Sequence, residues 1–236
     1  MTGPALAPVL IVSGTGTEVG KTVVTAAIAA LAADRAIRVA VVKPAQTGEP
    51  PGPTGDLRTV RRLSGVTQTY ELARFGDPLS PEAAARTARR PPLDLAAAAV
   101  FIKQLEADLI LVEGAGGLLV RYDPSGTTIA DLAVMLDAPV LVVTTPGLGT
   151  LNHTALTLEA LSTRRLTPAG VVIGAWPAEP GPAERANLTD LAVVAGRPLA
   201  GALPAGAARL SRADFLAAAR AGLSPAFGGS FRATAE

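Results

Sequence analysis

The stretch GTGTEVGKT, residues Gly14–Thr22, follows a short apolar run at 9–12 and precedes an alanine-rich segment. A glycine-rich turn between a strand and a helix presents backbone N–H groups to phosphate oxygens. The helix N-terminus adds a partial positive charge. In such a turn Lys21 reaches the β- and γ-phosphates and the Thr22 hydroxyl binds Mg²⁺. The stretch therefore predicts a phosphate-binding loop for a nucleoside triphosphate with Mg²⁺.

This loop departs by one residue from the usual spacing G-x-x-x-x-G-K-[ST]. Thr15 stands six residues before Lys21, with Gly14 one position too early and Gly16 one too late. The structural alternative is a glycine-rich turn that binds no ligand. The order of strand, Gly-Lys-Thr and helix favours the phosphate-binding loop.

Short runs rich in Val and Ile alternate with longer Ala- and Leu-rich segments along the chain. The predicted strands are 9–12, 39–42, 109–112, 140–143 and 170–173, with a weaker one at 199–203. The predicted helices are 20–35, 56–64, 81–107 with a break at 91–92, 128–137, 151–165, 184–196 and 212–222. Buried strands that alternate with helices predict an α/β fold, with a mostly parallel central sheet flanked by helices on both sides.

Length, composition and charge limit the class of protein. The 236 residues suit a single domain over 1–236, with flexible tails at 1–8 and 225–236. The chain has no cysteine, which excludes disulfides and fits a cytoplasmic protein. No apolar run approaches the roughly 20 residues of a membrane-spanning helix, so no membrane partner is expected. The net charge of +1 gives no case for nucleic acid as a partner.

Polar or glycine-rich motifs follow the other strands, at the sheet edge where ligands of α/β proteins bind. Lys43 begins KPAQTG after the second run, and Glu113 begins EGAGG after the third. A lysine at the end of a buried strand is costly unless an anion or a carboxylate meets it. The alternatives are an exposed lysine with a packed stem and a simple turn at Glu113. Asp56, which precedes a helix, suits an N-cap when taken alone.

The motifs GTxTEVGKT, KPxxTG and EGAGG, in this order, resemble those of the dethiobiotin synthetase family. The resemblance continues through GTLNHTALTLEAL at 149–161 to PLAGALPA at 198–205, and so covers nearly the whole chain. The phosphate-binding loop of that family carries the same extra residue. The resemblance implies a three-layer P-loop NTPase fold, a homodimer and a cytoplasmic ligase of biotin biosynthesis.

The implied reaction joins CO₂ to 7,8-diaminononanoate and consumes ATP, or another nucleoside triphosphate, with Mg²⁺. Carried over residue by residue, the resemblance implies that Lys21 and Lys43 are catalytic and that Thr22, Asp56 and Glu113 bind Mg²⁺. The implied substrate-binding residues are Thr17, Thr47, Gly149, Thr150, Leu151 and Asn152. The implied nucleotide-binding residues are Glu18, Val19, Gly20, Lys21, Thr22, Val23, Asp56, Glu113, Gly114, Ala115, Gly116, Gly174, Ala175, Leu203, Pro204 and Ala205.

One position departs from the family pattern. Many members place an asparagine after the fifth strand to hydrogen-bond adenine, whereas this chain has Gly174 there, followed by Ala175 and Trp176. A pocket without that amide discriminates less between bases. The departure predicts relaxed nucleotide selectivity, with pyrimidine triphosphates accepted.

Three other classes compete with this interpretation. A P-loop switch ATPase of the partition or placement type usually carries a lysine early in the loop, and the segment 14–19 has none. A cobalamin-pathway amidase would need a glutaminase domain with a cysteine. A dinucleotide-binding module would need a third glycine that is not at its usual place, and Gly-Lys-Thr favours a triphosphate.

Overall fold

A parallel sheet of seven strands forms the centre of the protein, for which the computed structural model describes residues 9–232. The strands are β1 (Val9–Gly14), β2 (Val39–Gln46), β3 (Thr69–Arg74), β4 (Leu109–Glu113), β5 (Val140–Thr144), β6 (Pro168–Trp176) and β7 (Gly201–Pro204). Their spatial order is β3-β2-β4-β1-β5-β6-β7, and each neighbouring pair is parallel. The predicted parallel sheet is confirmed.

Helices cover both faces of this sheet. They are α1 (Lys21–Ala33), α2 (Asp56–Ser64), α3 (Pro81–Thr87), α4 (Leu95–Lys103), α5 (Ile129–Leu136), α6 (Thr150–Thr163), α7 (Pro182–Ala195) and α8 (Arg212–Gly222). Leu10 and Val12 of β1 pack in one apolar cluster with α1, α2 and α8. Ile11, between them, packs in a second cluster with α4 to α7. Alternate residues of one strand thus serve two cores, as a three-layer α/β fold requires.

The edge strand β3 is missing from the sequence prediction. In the described part of the chain it pairs only with β2, and it is half-buried along its whole length. Its residues therefore lack the continuous apolar run of a strand buried on both faces. The available signal is weaker: Tyr70 and Leu72 alternate with polar residues, and both pack against the second core.

The prediction of a flexible tail from residue 225 is wrong for 225–232. Phe227 lies in a short 3₁₀ turn and is only 3% exposed, within the α1 side of the core. The backbone N–H groups of Ser230 and Phe231 donate to the carbonyls of Arg220 and Leu223. One buried aromatic side chain thus fixes a segment rich in small residues. The rest of the predicted tails, 1–8 and 233–236, lies outside the described residues.

Candidate active site

The carboxyl ends of β1, β4 and β2 lie side by side and deliver three of the predicted motifs to one place. The loop Gly14–Thr22 follows β1, Glu113 ends β4, and Lys43 lies near the end of β2. These residues, together with Asp56 at the start of α2, line a cleft of about 410 Å³. The cleft is therefore placed where ligands bind in parallel α/β sheets.

The phosphate-binding loop is shaped by backbone conformations that few residues adopt. Gly20, the residue before α1, has a φ of 97°, and Glu18 has a φ of 59°. Lys21 begins α1, and its ammonium donates to the carbonyl oxygen of Gly16 at 2.7 Å. Val19 packs in the apolar cluster that contains α1, and this packing anchors the loop to the core. Val23 lines the cleft. The loop and the helix N-terminus thus form a compact cradle for an anion.

Lys21 is a cation that its surroundings destabilise. Burial and the nearby charge of Lys43 lower the pKa of Lys21 from its ordinary value to about 8. A bound polyphosphate would supply the negative charge that this ammonium lacks. The site is therefore poised to bind an anion against Lys21.

Lys43 is almost completely buried, which rules out the alternative of an exposed lysine. Its Nζ lies 2.8 Å from Glu113 Oε1, 2.5 Å from Asp56 Oδ2 and 3.2 Å from the Gly114 carbonyl oxygen. An ammonium has three N–H donors, and all three have acceptors here. Although burial alone would lower the pKa of Lys43, the charges of Glu113 and Asp56 raise it above its ordinary value. Lys43 is thus a permanent cation in this site.

Asp56 is held in the site by the side chain of Gln46. Asp56 is the first residue of α2, and the preceding N-cap residue is Gly55, which has no side chain to cap the helix. Gln46 Oε1 accepts the N–H of Asp56 at 2.9 Å in its place. The N-cap alternative for Asp56 is therefore wrong. Although burial alone would raise the pKa of Asp56, the charge of Lys43 lowers it, so the carboxylate is ionised.

Oxygen donors suited to Mg²⁺ meet beside these groups. Glu113 is fully buried, and its Oε1 accepts from both Lys43 and the Thr22 hydroxyl, the latter at 2.8 Å. Its Oε2 is buried and has no hydrogen-bond partner among residues 9–232. Two carboxylates and a hydroxyl match the oxygen ligands of a Mg²⁺ ion that keeps several waters and binds phosphate. Thr22, Asp56 and Glu113 therefore fit this ion.

A second cleft of about 580 Å³ adjoins the first. Thr17, Glu18, Thr47, Ala115 and Gly116 line both clefts. The outer wall of the second cleft is largely apolar and consists of Pro78, Leu79, Pro81 and Val120, with Ser80. No sequence motif marks this wall, because its residues lie in loops and short elements.

The start of α6 lines neither cleft of its own chain. Gly149 is its N-cap with a φ of 87°, and Asn152 is exposed. The buried Thr150 hydroxyl donates to the Thr145 carbonyl oxygen at 2.6 Å, so this side chain serves the helix start itself. Leu151 packs against the second core. The segment 149–152 therefore lines neither of the clefts that Thr17 and Thr47 line.

Steric contact explains the glycine at position 174. A Cβ atom on Gly174 would lie 2.0 Å from the Val19 carbonyl oxygen, so the end of β6 packs directly on the phosphate-binding loop. Leu203 is fully buried in the α1 side of the core, which leaves its side chain unable to line a base pocket. Ala175, Pro204 and Ala205 are exposed at the ends of β6 and β7.

The AAA domain family matches residues 9–208 of this chain. The ATP-dependent dethiobiotin synthetases of Parafrankia sp. and Frankia casuarinae are each 63% identical to it, and each match covers 95% of both chains. The Streptomyces coelicolor enzyme of the same name is 54% identical over 97% of both chains. The chain belongs to the ATP-dependent dethiobiotin synthetase family. The family that the sequence motifs resemble is thus confirmed. The prediction of an ATP-dependent ligase of biotin biosynthesis is confirmed with it.

Solved structures of low sequence identity share the fold. The septum site-determining protein MinD of Pyrococcus horikoshii, complexed with Mg-ADP, superimposes with a TM-score of 0.54 at 19% identity, over 83% of this chain and 80% of that one. Chloroplast FtsY of Physcomitrella patens gives 0.52 at 16% identity, over 92% and 66%. The P-loop NTPase fold predicted for the dethiobiotin synthetase family is thus confirmed. In the described part of the chain, no helix has the length and apolar character needed to cross a membrane.

Proposed function

We propose that this protein is a dethiobiotin synthetase that joins CO₂ to 7,8-diaminononanoate at the expense of a nucleoside triphosphate. One amine of the substrate forms a carbamate with CO₂. A carbamate oxygen attacks the γ-phosphorus and displaces the nucleoside diphosphate, which gives a carbamic–phosphoric anhydride. The second amine attacks the anhydride carbon, loses a proton and expels phosphate, which closes the ureido ring of dethiobiotin.

The buried Lys43 cation carries this proposal. Lys43 is close enough to Lys21 to lower its pKa, so two ammonium groups act on one small volume beside the phosphate-binding loop. Negative charge on the carbamate and on the transferring phosphoryl group would be stabilised between them, which is the main source of catalysis in phosphoryl transfer. Thr22, Asp56 and Glu113 would hold Mg²⁺, which when bound offsets charge on the phosphate oxygens.

The two clefts divide the proposed substrates. The nucleotide would lie along Gly20, Lys21, Thr22 and Val23. The apolar wall of the second cleft would take the hydrocarbon chain, with its amines beside Thr17 and Thr47. The segment 149–152 would bind the tail carboxylate from the partner subunit of a homodimer, because it lines neither cleft of its own chain.

Phosphate release measured with each component left out in turn tests this function. We expect release only when nucleotide, Mg²⁺, 7,8-diaminononanoate and bicarbonate are all present, with one dethiobiotin formed per phosphate. The P-loop switch ATPase remains the alternative, since MinD shares the fold. Hydrolysis that needs no diamine and is stimulated by DNA or lipid would support the switch instead.

We expect relaxed base selectivity as a second property of the site. Gly174 offers no side chain to a base, and its contact with Val19 leaves no room for one. Without an amide that hydrogen-bonds adenine, the site loses discrimination between bases but gains no preference for another base. The measurement compares kcat/KM for ATP, CTP, GTP and UTP under identical conditions. Values within about tenfold of one another are expected, and a strong preference for ATP would refute this prediction.

Nucleotide affinity should fall as the pH rises above 8. The free protein loses the Lys21 proton near its pKa of about 8, whereas a bound polyphosphate keeps Lys21 charged. Binding then takes up a proton, so the dissociation constant of ADP rises toward about tenfold per pH unit above that value. Well below that pKa Lys21 is charged in both states, so Lys21 adds no pH dependence to the constant. Calorimetry in two buffers of different ionisation enthalpy measures the uptake. A dissociation constant that stays level to pH 9.5 would exclude this role of Lys21.

A further inference from the structure

The peptide group between Gly114 and Ala115 is held by a side chain at each of its two ends. Its carbonyl oxygen accepts from Lys43 Nζ at 3.2 Å, and its N–H donates to the hydroxyl oxygen of Tyr122 at 2.8 Å. Because a peptide group is planar, these two contacts fix one orientation together. We propose that Tyr122 is a positioning residue, whose hydroxyl holds this peptide so that the Gly114 carbonyl meets the Lys43 ammonium.

The loop needs such an anchor because its own residues constrain it weakly. Gly114, Gly116 and Gly117 surround the peptide, and Gly116 has a φ of 70°. Glycine backbones rotate at little steric cost. The N–H of Gly114 donates to the Val12 carbonyl at 3.0 Å and fixes the start of the loop. A flip of the next peptide would turn an N–H toward Lys43, and the contact with Tyr122 opposes it.

Tyr122 is itself fixed in the fold. Its side chain is completely buried in the core on the α5 side. Its N–H donates to the Thr127 carbonyl at 2.8 Å, and the Asp123 carboxylate accepts from the N–H of Thr127 at 3.1 Å. Burial raises the pKa of Tyr122, so its phenol stays neutral. The turn before α5 thus supports the hydroxyl against which the peptide rests.

Replacement of Tyr122 by phenylalanine removes the hydroxyl alone and leaves the ring. The inference rests on the proposed function, so kcat for dethiobiotin is measured beside the dissociation constant of ADP and hydrogen exchange of the segment 113–117. We expect kcat to fall about tenfold while ADP affinity stays within about twofold, because the change acts through Lys43 and spares the phosphate-binding loop. Exchange in the segment 113–117 should rise. Tyr70→Phe is the matched control, since Tyr70 is the other of the two tyrosines and lies on the edge strand.

Two results would overturn the proposal: an unchanged kcat in folded Tyr122→Phe, or a parallel loss of kcat, ADP affinity and thermal stability, which indicates a structural role only. Should Tyr122→Phe fail to fold, 3-fluorotyrosine in the Tyr70→Phe protein places a weaker acceptor at position 122 alone. A fall of kcat by about twofold with ADP affinity retained is then expected, and an unaltered kcat refutes the proposal. Wild-type protein that forms no dethiobiotin would instead refute the proposed function, while faster exchange in Tyr122→Phe would still report the hydrogen bond.

Discussion

Lys43→Ala is expected to lower the rate of dethiobiotin formation by about 10²–10³-fold, the loss typical of one electrostatic group in a transition state. The ammonium is the cation shared by Asp56 and Glu113, whereas Lys21, the other lysine that lines the cleft, donates to the Gly16 carbonyl within the phosphate-binding loop. Lys21 would still bind the nucleotide, so the dissociation constant of ADP should change little. The measurement is a single-turnover assay of dethiobiotin together with an ADP titration.

Folding must be followed in the same experiment. Removal of one partner from a buried ion pair costs about 3–5 kcal/mol because it leaves an uncompensated charge, here that of the fully buried Glu113. Lys103→Ala is the matched control, since Lys103 is exposed at the end of α4. If Lys43→Ala closes the ureido ring at the wild-type rate, the assignment of this lysine is wrong.

Glu113→Gln is expected to lower kcat by about 10²-fold and to raise the Mg²⁺ concentration needed for half-maximal activity. The amide keeps the shape of the side chain but removes a charge that meets both Lys43 and the Thr22 hydroxyl. It also replaces one of the two anionic oxygen donors that fit Mg²⁺. A Mg²⁺ titration of activity at saturating nucleotide makes the measurement.

The control for that change is Glu106→Gln. Glu106 is exposed on the loop before β4, and its replacement removes the same charge from the chain. Its kcat and its Mg²⁺ dependence should equal those of the wild type. An unchanged Mg²⁺ requirement in Glu113→Gln would show that the metal is held elsewhere. A loss confined to thermal stability would leave Glu113 as a structural partner of Lys43 only.

The sequence was sufficient for the parts of the candidate site that come directly after an apolar run. Each of Gly14–Thr22, Lys43 and Glu113 comes just after an apolar run. Because the carboxyl ends of parallel strands share one edge of the sheet, the sequence places these residues there without knowledge of the loops. The partner of Asp56 could not be predicted, since Gln46 reaches it only through the path of the loop between them. The contact of Gly174 with Val19 could not be predicted from the sequence either, because it depends on how closely β6 approaches the phosphate-binding loop. Sequence gives residue type and order, whereas these contacts arise from distance in space.

The three acceptors around Lys43 mean that the protein carries its own tethered counter-ion. Asp56 and Glu113 share one ammonium that cannot diffuse away and that offsets one of their two negative charges. A divalent cation arriving alone would have to compete with that ammonium at close range, where like charges repel strongly. A cation that binds together with a polyphosphate brings compensating negative charge, with which the ammonium groups of Lys21 and Lys43 can form ion pairs. Metal and nucleotide should therefore enter as one complex, by exchange of one ion pair for another.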